Sequence, residues 1–385
     1  MKSIAIFTTN RAEFGLLLNL VEVINHSDGL DFILFAGGSH HLYSQGFTSL
    51  EIREMGYNPI PFDFLLNSDN KKALTQSMGV ELFQLSEIFS NYSFDFVTVL
   101  GDRIELLPIV QTAIIYRKPI IHIHGGEVTE GAFDEQVRHM ITKAAHLHFC
   151  ACDEYKQNIL RMGEESWRVH NVGAIGIDSI VKRKTINKFE LFKQYNLDLK
   201  LPTVMMTYHP VTLEKRISAR KQIENMFIAL DSFNFQVIIT APNIDSDNHF
   251  IFEVIQKLVE IKMNYHFIKS LGIVNYQSML KYVEFVIGNS SSGILEVPYF
   301  NIPTVNIGDR QKGRIRHKSV IDVHYSVESI KQGIQKALDP SFRESIKKMK
   351  YKFGDGHAAE RIVEVLLKIE INQDLMRKKL EFPNE

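Results

Sequence analysis

The chain opens on a short apolar run, Ser3–Thr8, and the pattern returns at Asp31–Ala36, Phe96–Leu100, Pro119–His124 and Leu147–Ala151. Each run is followed at once by small or polar residues. Stretches such as FVTVL show no alternation, which suits strands covered on both faces of a sheet. Between them lie segments with helical spacing, among them Gly15–Ile24 and Leu106–Tyr116. Strands alternating with helices predict βαβ units and a parallel sheet.

A polar, basic stretch from Lys182 to Lys200, closed by Pro202, interrupts the pattern, which then restarts. Thr203–Thr207, Phe235–Thr240, Tyr265–Ile268, Phe285–Ile287 and Thr304–Ile307 read as a second set of strands. At 385 residues the chain suits two cores better than one. The expected division is a first domain over 1–180 and a second over 181–365. Ala358–Lys379 reads as one amphipathic helix, with residues 366–385 packing back on the first domain.

Composition narrows the function classes. With 45% hydrophobic and 23% charged residues and a formal net charge of -1, no bulk field favours nucleic acid. No apolar stretch is long enough to span a membrane, and the N-terminus lacks a signal-peptide core, so a cytoplasmic protein is expected. Cys150 and Cys152, the only cysteines, are too few for a zinc site and read as buried thiols.

Ligands of parallel α/β sheets gather beyond the carboxyl ends of the strands. There the chain places Arg11 after the first run, Asp102-Arg103 after FVTVL, and Gly125-Gly126-Glu127 after IIHIH, with Asp134-Glu135 opening the next helix. In the second half it places His209, Asn243, Ser290-Ser291-Ser292-Gly293, Glu296 and Arg310. The serine turn is either a helix cap or a phosphate cradle; Arg310 close behind favours phosphate. Asp102, Glu127, Asp134 and Glu135 form a carboxylate set fit for acid–base work, or else are solvated charges and caps. His122 and His124, two apart on a strand, would share a face, towards a metal or towards the site; no fourth ligand has convincing spacing, so no metal is expected. No G-x-G-x-x-G follows the first strand, and no nicotinamide cofactor is expected.

Together NRAEFGLL, GDRIELL, HIHGGEVTEGAFDEQVRHMITKAAHLHF, GNSSSGILEV, NIGDRQKGR and GDGHAAERI resemble the UDP-N-acetylglucosamine 2-epimerases, and more closely their hydrolysing branch in sialic acid biosynthesis. The resemblance runs in order from Asn10 to Ile362. It implies a GT-B fold of two Rossmann-like doubly wound domains with a cleft between them, a homodimer, and a UDP-sugar substrate without any cofactor. The implied chemistry is anti elimination of UDP through a 2-acetamidoglucal, then hydration to free N-acetylmannosamine. By position it implies Asp102 and Asp134 as acid–base groups, with His124, Glu127, Glu135 and His209 beside them. It implies UDP contacts from Arg11, Arg103, His209, Asn243, Leu271, Ser290, Ser291, Ser292, Gly293, Glu296 and Arg310. His124 stands where relatives often carry a glutamate, so the second base is either His124 or Glu127. Gly15-Leu16-Leu17 stands where non-hydrolysing relatives carry a lysine, which favours hydrolysis. The alternatives are the same chemistry on a 2,4-diacetamido sugar, a non-hydrolysing epimerase, a GT-B glycosyltransferase, or a nucleotide-sugar-binding regulator.

Overall fold

The computed structural model describes residues 1–43, 47–66, 70–130, 133–209, 217–241 and 249–382. The chain divides into two compact units, Met1–Glu127 with Phe133–Lys182 and Phe353–Glu385 in the first, and Val128–Ala132 with Arg183–Lys352 in the second. Residues 353–365 thus fall with the first unit, where the sequence had suggested the second.

The first unit is built on a parallel seven-stranded sheet: β1 (Lys2–Thr8), β2 (Leu30–Gly37), β3 (Ile60–Phe62), β4 (Phe96–Leu100), β5 (Ile120–Ile123), β6 (Leu147–Cys150) and β7 (Val169–Asn171). Their spatial order is β3-β2-β1-β4-β5-β6-β7. Side chains alternate across the sheet as its period of two requires. Ile4 and Ile6 of β1 pack with Leu17 and Leu20 of the helix Arg11–Asn25 and with Ile362 and Leu366 of the helix Ala358–Lys368. Ala5 and Phe7 join the opposite core, with Phe89 and Ile109 from the helices Lys71–Asn91 and Leu106–Ile115. Both faces are therefore covered, which is why these strands carry continuous apolar runs.

The second unit holds a parallel six-stranded sheet: β8 (Thr203–Thr207), β9 (Gln236–Thr240), β10 (Tyr265–Ile268), β11 (Val286–Gly288), β12 (Thr304–Ile307) and β13 (Val320–Val323), ordered β10-β9-β8-β11-β12-β13. Val204 and Met206 face one core, Met205 the other. In each sheet the strand order reverses once, between β1 and β4 and between β8 and β11. Those reversals leave crevices at the carboxyl ends, and ligand sites of open α/β sheets form there. Among the described residues no helix is long and apolar enough to cross a membrane.

The helix expected over Ala358–Lys379 stops at Lys368, and a separate short helix spans Gln373–Met376. The break has a local cause. Asn372 turns its side chain on the next backbone, accepting from the Asp374 and Leu375 amides, and so caps a new helix instead of continuing the old one. The helix Ala358–Lys368 is itself started by a distant cap. His357 makes no side-chain cap bond, and the Asp178 carboxylate accepts from the Ala358 amide at 3.0 Å and the Ala359 amide at 2.7 Å. Asp178→Ala should therefore lower the unfolding free energy by about 1–2 kcal/mol, the range for a lost N-cap. Urea denaturation checks it; an unchanged midpoint would show that the C-terminal helix docks without this cap.

Candidate active site

The first unit's site is organised by one arginine. Arg138, on the helix Asp134–Ala144, is 1% exposed. It donates to the Glu127 carbonyl at 2.8 Å and to the Glu135 carboxylate at 3.0 Å, and is hydrogen-bonded to the Asp102 carboxylate. Burial disfavours its charge, but Asp102, Glu127 and Glu135 outweigh burial and hold its pKa above the ordinary value. The guanidinium fork thus ties the end of β4, the turn after β5 and the first turn of a helix to one point. Asp102 is fixed by this pair. Glu135 is engaged on its own helix, by Arg138 and by His139 at 3.3 Å. Asp134 opens that helix and lies within electrostatic range of Arg103, which Glu105 binds at 2.9 Å. Arg11, at the start of its helix, pairs with Glu51 at 3.1 Å.

The two strand histidines do not act as a pair. β5 ends at Ile123, and His124 follows it with φ of 65°, a left-handed conformation that non-glycine residues rarely adopt and that clusters at functional sites. Gly126 continues the turn, and a Cβ there would come within 2.3 Å of the Tyr155 carbonyl. The expected shared face is therefore lost. His122 is fully buried, with Nε2 against the Gly101 carbonyl at 2.8 Å and Nδ1 against the Thr142 hydroxyl at 3.2 Å, and burial lowers its pKa to about 3. Both of its nitrogens are occupied, so it is a neutral structural histidine and offers no lone pair to a metal. His124 differs. Its Nδ1 meets the Glu127 carboxylate at 2.8 Å, while its buried Nε2 has no hydrogen-bond partner among the described residues. The carboxylate selects the tautomer with the proton on Nδ1, leaving the Nε2 lone pair open. His124 and Glu127, the two residues between which the sequence leaves the base open, are thus hydrogen-bonded to each other. Among the described residues no group of three or more His, Cys, Asp or Glu could hold a metal ion. Cys150 and Cys152 are free and buried, and burial pushes both thiols up to about 12.

In the second unit Asn289 plays the tying role at the carboxyl ends of β8, β11 and β12. Its side chain accepts from the His209 amide at 2.7 Å and donates to the His209 carbonyl at 2.8 Å, while its own carbonyl accepts from Arg310 at 3.1 Å and Gln311 at 2.9 Å. Gly288, with φ of 140°, brings β11 so close to β8 that a Cβ would meet the Thr207 carbonyl at 1.9 Å. The serine turn departs from expectation. Ser291 caps the helix Ser292–Leu295 by position but makes no side-chain cap bond, and that helix has only four residues. A single turn carries little macrodipole, so a cradle here rests on hydroxyls and Arg310. Ser290 and Ser292 hydroxyls lie 3.2 Å apart, and Tyr276 donates to Ser292 at 2.8 Å. Glu296 sits at that helix's C-terminal cap rather than one turn inside it, and burial raises its carboxyl to about 7. Gly293 packs against Thr304, whose hydroxyl donates to its carbonyl at 2.7 Å. Leu271, at the N-cap of the helix Gly272–Leu280, is packed in the core with Met279 and Val286. Burial, then the Arg310 charge, lowers His209 to about 3, so its imidazole is neutral at ordinary pH. Asn243 lies outside the described residues.

Comparison with known proteins agrees with this architecture. The family model described as UDP-N-acetylglucosamine 2-epimerase matches residues 22–367. A Campylobacter jejuni GDP/UDP-N,N'-diacetylbacillosamine 2-epimerase (hydrolyzing) is 34% identical over 98% of both chains. The polysialic acid biosynthesis protein P7 of Escherichia coli is 35% identical over 89% of this chain and 88% of its own. A solved UDP-GlcNAc 2-epimerase from Neisseria meningitidis, bound to UDP-GlcNAc, shares the GT-B fold, with TM-score 0.82 at 18% identity over 96% of this chain and all of that one. What fold and comparisons define together is a nucleotide-sugar 2-epimerase. The chain belongs to the UDP-N-acetylglucosamine 2-epimerase family, as its motifs implied.

Arg138 and Asn289 are the positions that residue-type reasoning left without a role, although both lie inside the matching motifs. Replacing Arg138 by Met should cost about 3 kcal/mol, because the partly buried Asp102 would lose its counter-charge; equal denaturation midpoints would show the fork to be dispensable. For His209 the measurable consequence is a ring-proton chemical shift that stays flat from pH 8 to pH 5. A titration near pH 6.5 would contradict its burial.

Proposed function

We propose that the protein is a hydrolysing 2-epimerase that converts a UDP-2-acetamido sugar into UDP and the free sugar inverted at C2, with UDP-N-acetylglucosamine giving N-acetylmannosamine. The observation that carries the proposal is the open, buried Nε2 of His124 with Glu127 behind it. Elimination requires a base to take the C2 proton as the C1–O bond to UDP breaks. An imidazole backed by a carboxylate can take up such a proton. Inversion at C2 requires the proton to leave from one face and return to the other, so a second group must protonate C2 of the glucal, and water then captures the oxocarbenium formed at C1, giving up a proton to a neighbouring base. Asp102, fixed in place by Arg138, is assigned that role, with Asp134 beside it. The departing diphosphate carries the developing charge, and Arg310 with the hydroxyls of Ser290 and Ser292 would stabilise it. Arg11 and Arg103 are further candidate anion contacts, Glu296 a candidate ribose contact, and neutral His209 a hydrogen-bonding partner rather than a cation.

Gly15-Leu16-Leu17 supports hydrolysis, as does the word "hydrolyzing" in the names of the Campylobacter jejuni and Legionella pneumophila relatives. Those two relatives, matching over 98% of this chain, also favour a second reading, the same chemistry on UDP-N,N'-diacetylbacillosamine.

NMR of the purified protein with each UDP-sugar should show UDP and a 2-epimerised free sugar, at a rate that a chelator leaves unchanged. Return of a UDP-sugar epimer would mean a non-hydrolysing enzyme; turnover only with an added acceptor would mean a glycosyltransferase. His124→Ala should lose about a hundredfold or more in kcat with modest change in KM, as expected when a general base is removed. Arg310→Ala should weaken UDP binding by about 1.5–3 kcal/mol, whereas Asp102→Asn should bind UDP normally and not turn over. Calorimetry separates the two, and failure of Asp102→Asn to bind UDP would remove Asp102 from the chemistry.

A further inference from the structure

Beside the site of the first unit lies a group of carboxyls that the chemistry above does not use. Glu13 comes from the first turn of the helix Arg11–Asn25, Glu105 from the residue preceding the helix Leu106–Ile115, and Glu81 from within the helix Lys71–Asn91. All three are buried, and Glu81 is 0% exposed. The charges acting on Glu81 are Glu105 and Glu13; both also act on Arg103. The helix Lys71–Asn91 packs against the helix Leu106–Ile115 that Glu105 precedes; three neighbouring buried carboxyls with one guanidinium beside two of them cannot all be ionised out of water, and the hydrogen bonds decide which one stays neutral. Glu105 Oε1 accepts from Arg103 at 2.9 Å. Glu13 Oε2 accepts from the Thr9 amide at 2.6 Å and its hydroxyl at 3.1 Å. Glu81 has no donor on either oxygen among the described residues. Of the three, it is the one with no donor to stabilise a charge, so it holds its proton most firmly.

We propose that Glu81 is a positioning residue for Arg103: as a neutral carboxylic acid it leaves Glu105 free to hold the guanidinium within range of Asp134, and as an anion it repels Glu105 and breaks that hold. The alignment of Arg103 beside Asp134 then depends on a proton stored on the helix packed against the one that follows Arg103. Burial, followed by repulsion from Glu105 and then Glu13, pushes Glu81 up to about 9, so its ionisation falls on the alkaline side of working pH. Glu13, raised by burial to about 7, titrates separately at lower pH.

The effect on catalysis rests on the function proposed above; the protonation of Glu81 does not, and each has its own readout in the full-length protein. Because the folded state keeps the Glu81 proton that the unfolded chain releases near 4.5, stability linked to this proton is whole below that pH and drains as pH rises towards 9. Glu81→Gln, or Glu81→Met if the amide packs poorly, lacks that loss. Its melting temperature relative to wild type should climb steadily between pH 5 and pH 9; a constant difference would overturn the neutral Glu81. In turnover, wild-type kcat/KM should fall about tenfold per pH unit above pH 9, and Glu81→Gln should match wild type at pH 7 and lose that fall. A variant whose melting difference climbs but whose turnover profile superimposes on wild type would overturn the link to Arg103.

Discussion

The first unit's site depends on a buried charge. Arg138 is sequestered in a helix, and a lone guanidinium there would be strongly unfavourable. It is tolerated because Asp102, Glu135 and the Glu127 carbonyl all converge on it. The same requirement works in reverse: the end of β4 and the turn after β5 are held against the helix Asp134–Ala144 because each supplies a partner for one rigid fork. Glu127, once fixed, fixes His124, and the left-handed backbone at His124 is held by the Gly125-Gly126 turn behind it. The His124 Nε2, left without a partner among the described residues, is the end of this chain of constraints.

The second unit solves the equivalent problem without a buried charge. Asn289 satisfies both backbone groups of His209 with its side chain and receives Arg310 and Gln311 on its backbone carbonyl, so three strand ends are registered by one neutral residue. The two arrangements suit two tasks. A preorganised carboxylate–imidazole set can move protons, whereas a neutral scaffold that positions hydroxyls and one arginine suits the holding of an anion. Both lie at the carboxyl ends of the strands, at or beside the point where strand order reverses, and there neighbouring loops diverge to admit a ligand.

Much of this was legible in the chain. Ten strands announce themselves as apolar runs because helices cover both faces of each sheet. β3, β7 and β13 do not, and all three are edge strands of three or four residues, with Pro61 inside β3. An edge strand needs little apolar surface and tolerates proline, so it leaves no strong pattern. The strand-end position of His124, Asp102 and Ser290 was readable from turn chemistry. The separation of His122 from His124 was not, because it hangs on a single positive φ that a histidine does not advertise. Nor was the shortness of the helix after the serine turn: SSSG reads as a helix start, but Pro298 and the 3-10 turn Val297–Phe300 end it after one turn.

The account stands on proton movement at C2 of the sugar, taken by His124 on one face and returned by another group on the other. Running the reaction to completion in D2O and weighing the released sugar tests this most directly. The account predicts one solvent deuterium at C2 in every product molecule and none in unreacted UDP-sugar. A product with no deuterium at C2 would mean that the glycosyl bond is cleaved without elimination, and the roles given to His124, Glu127 and Asp102 would fall together.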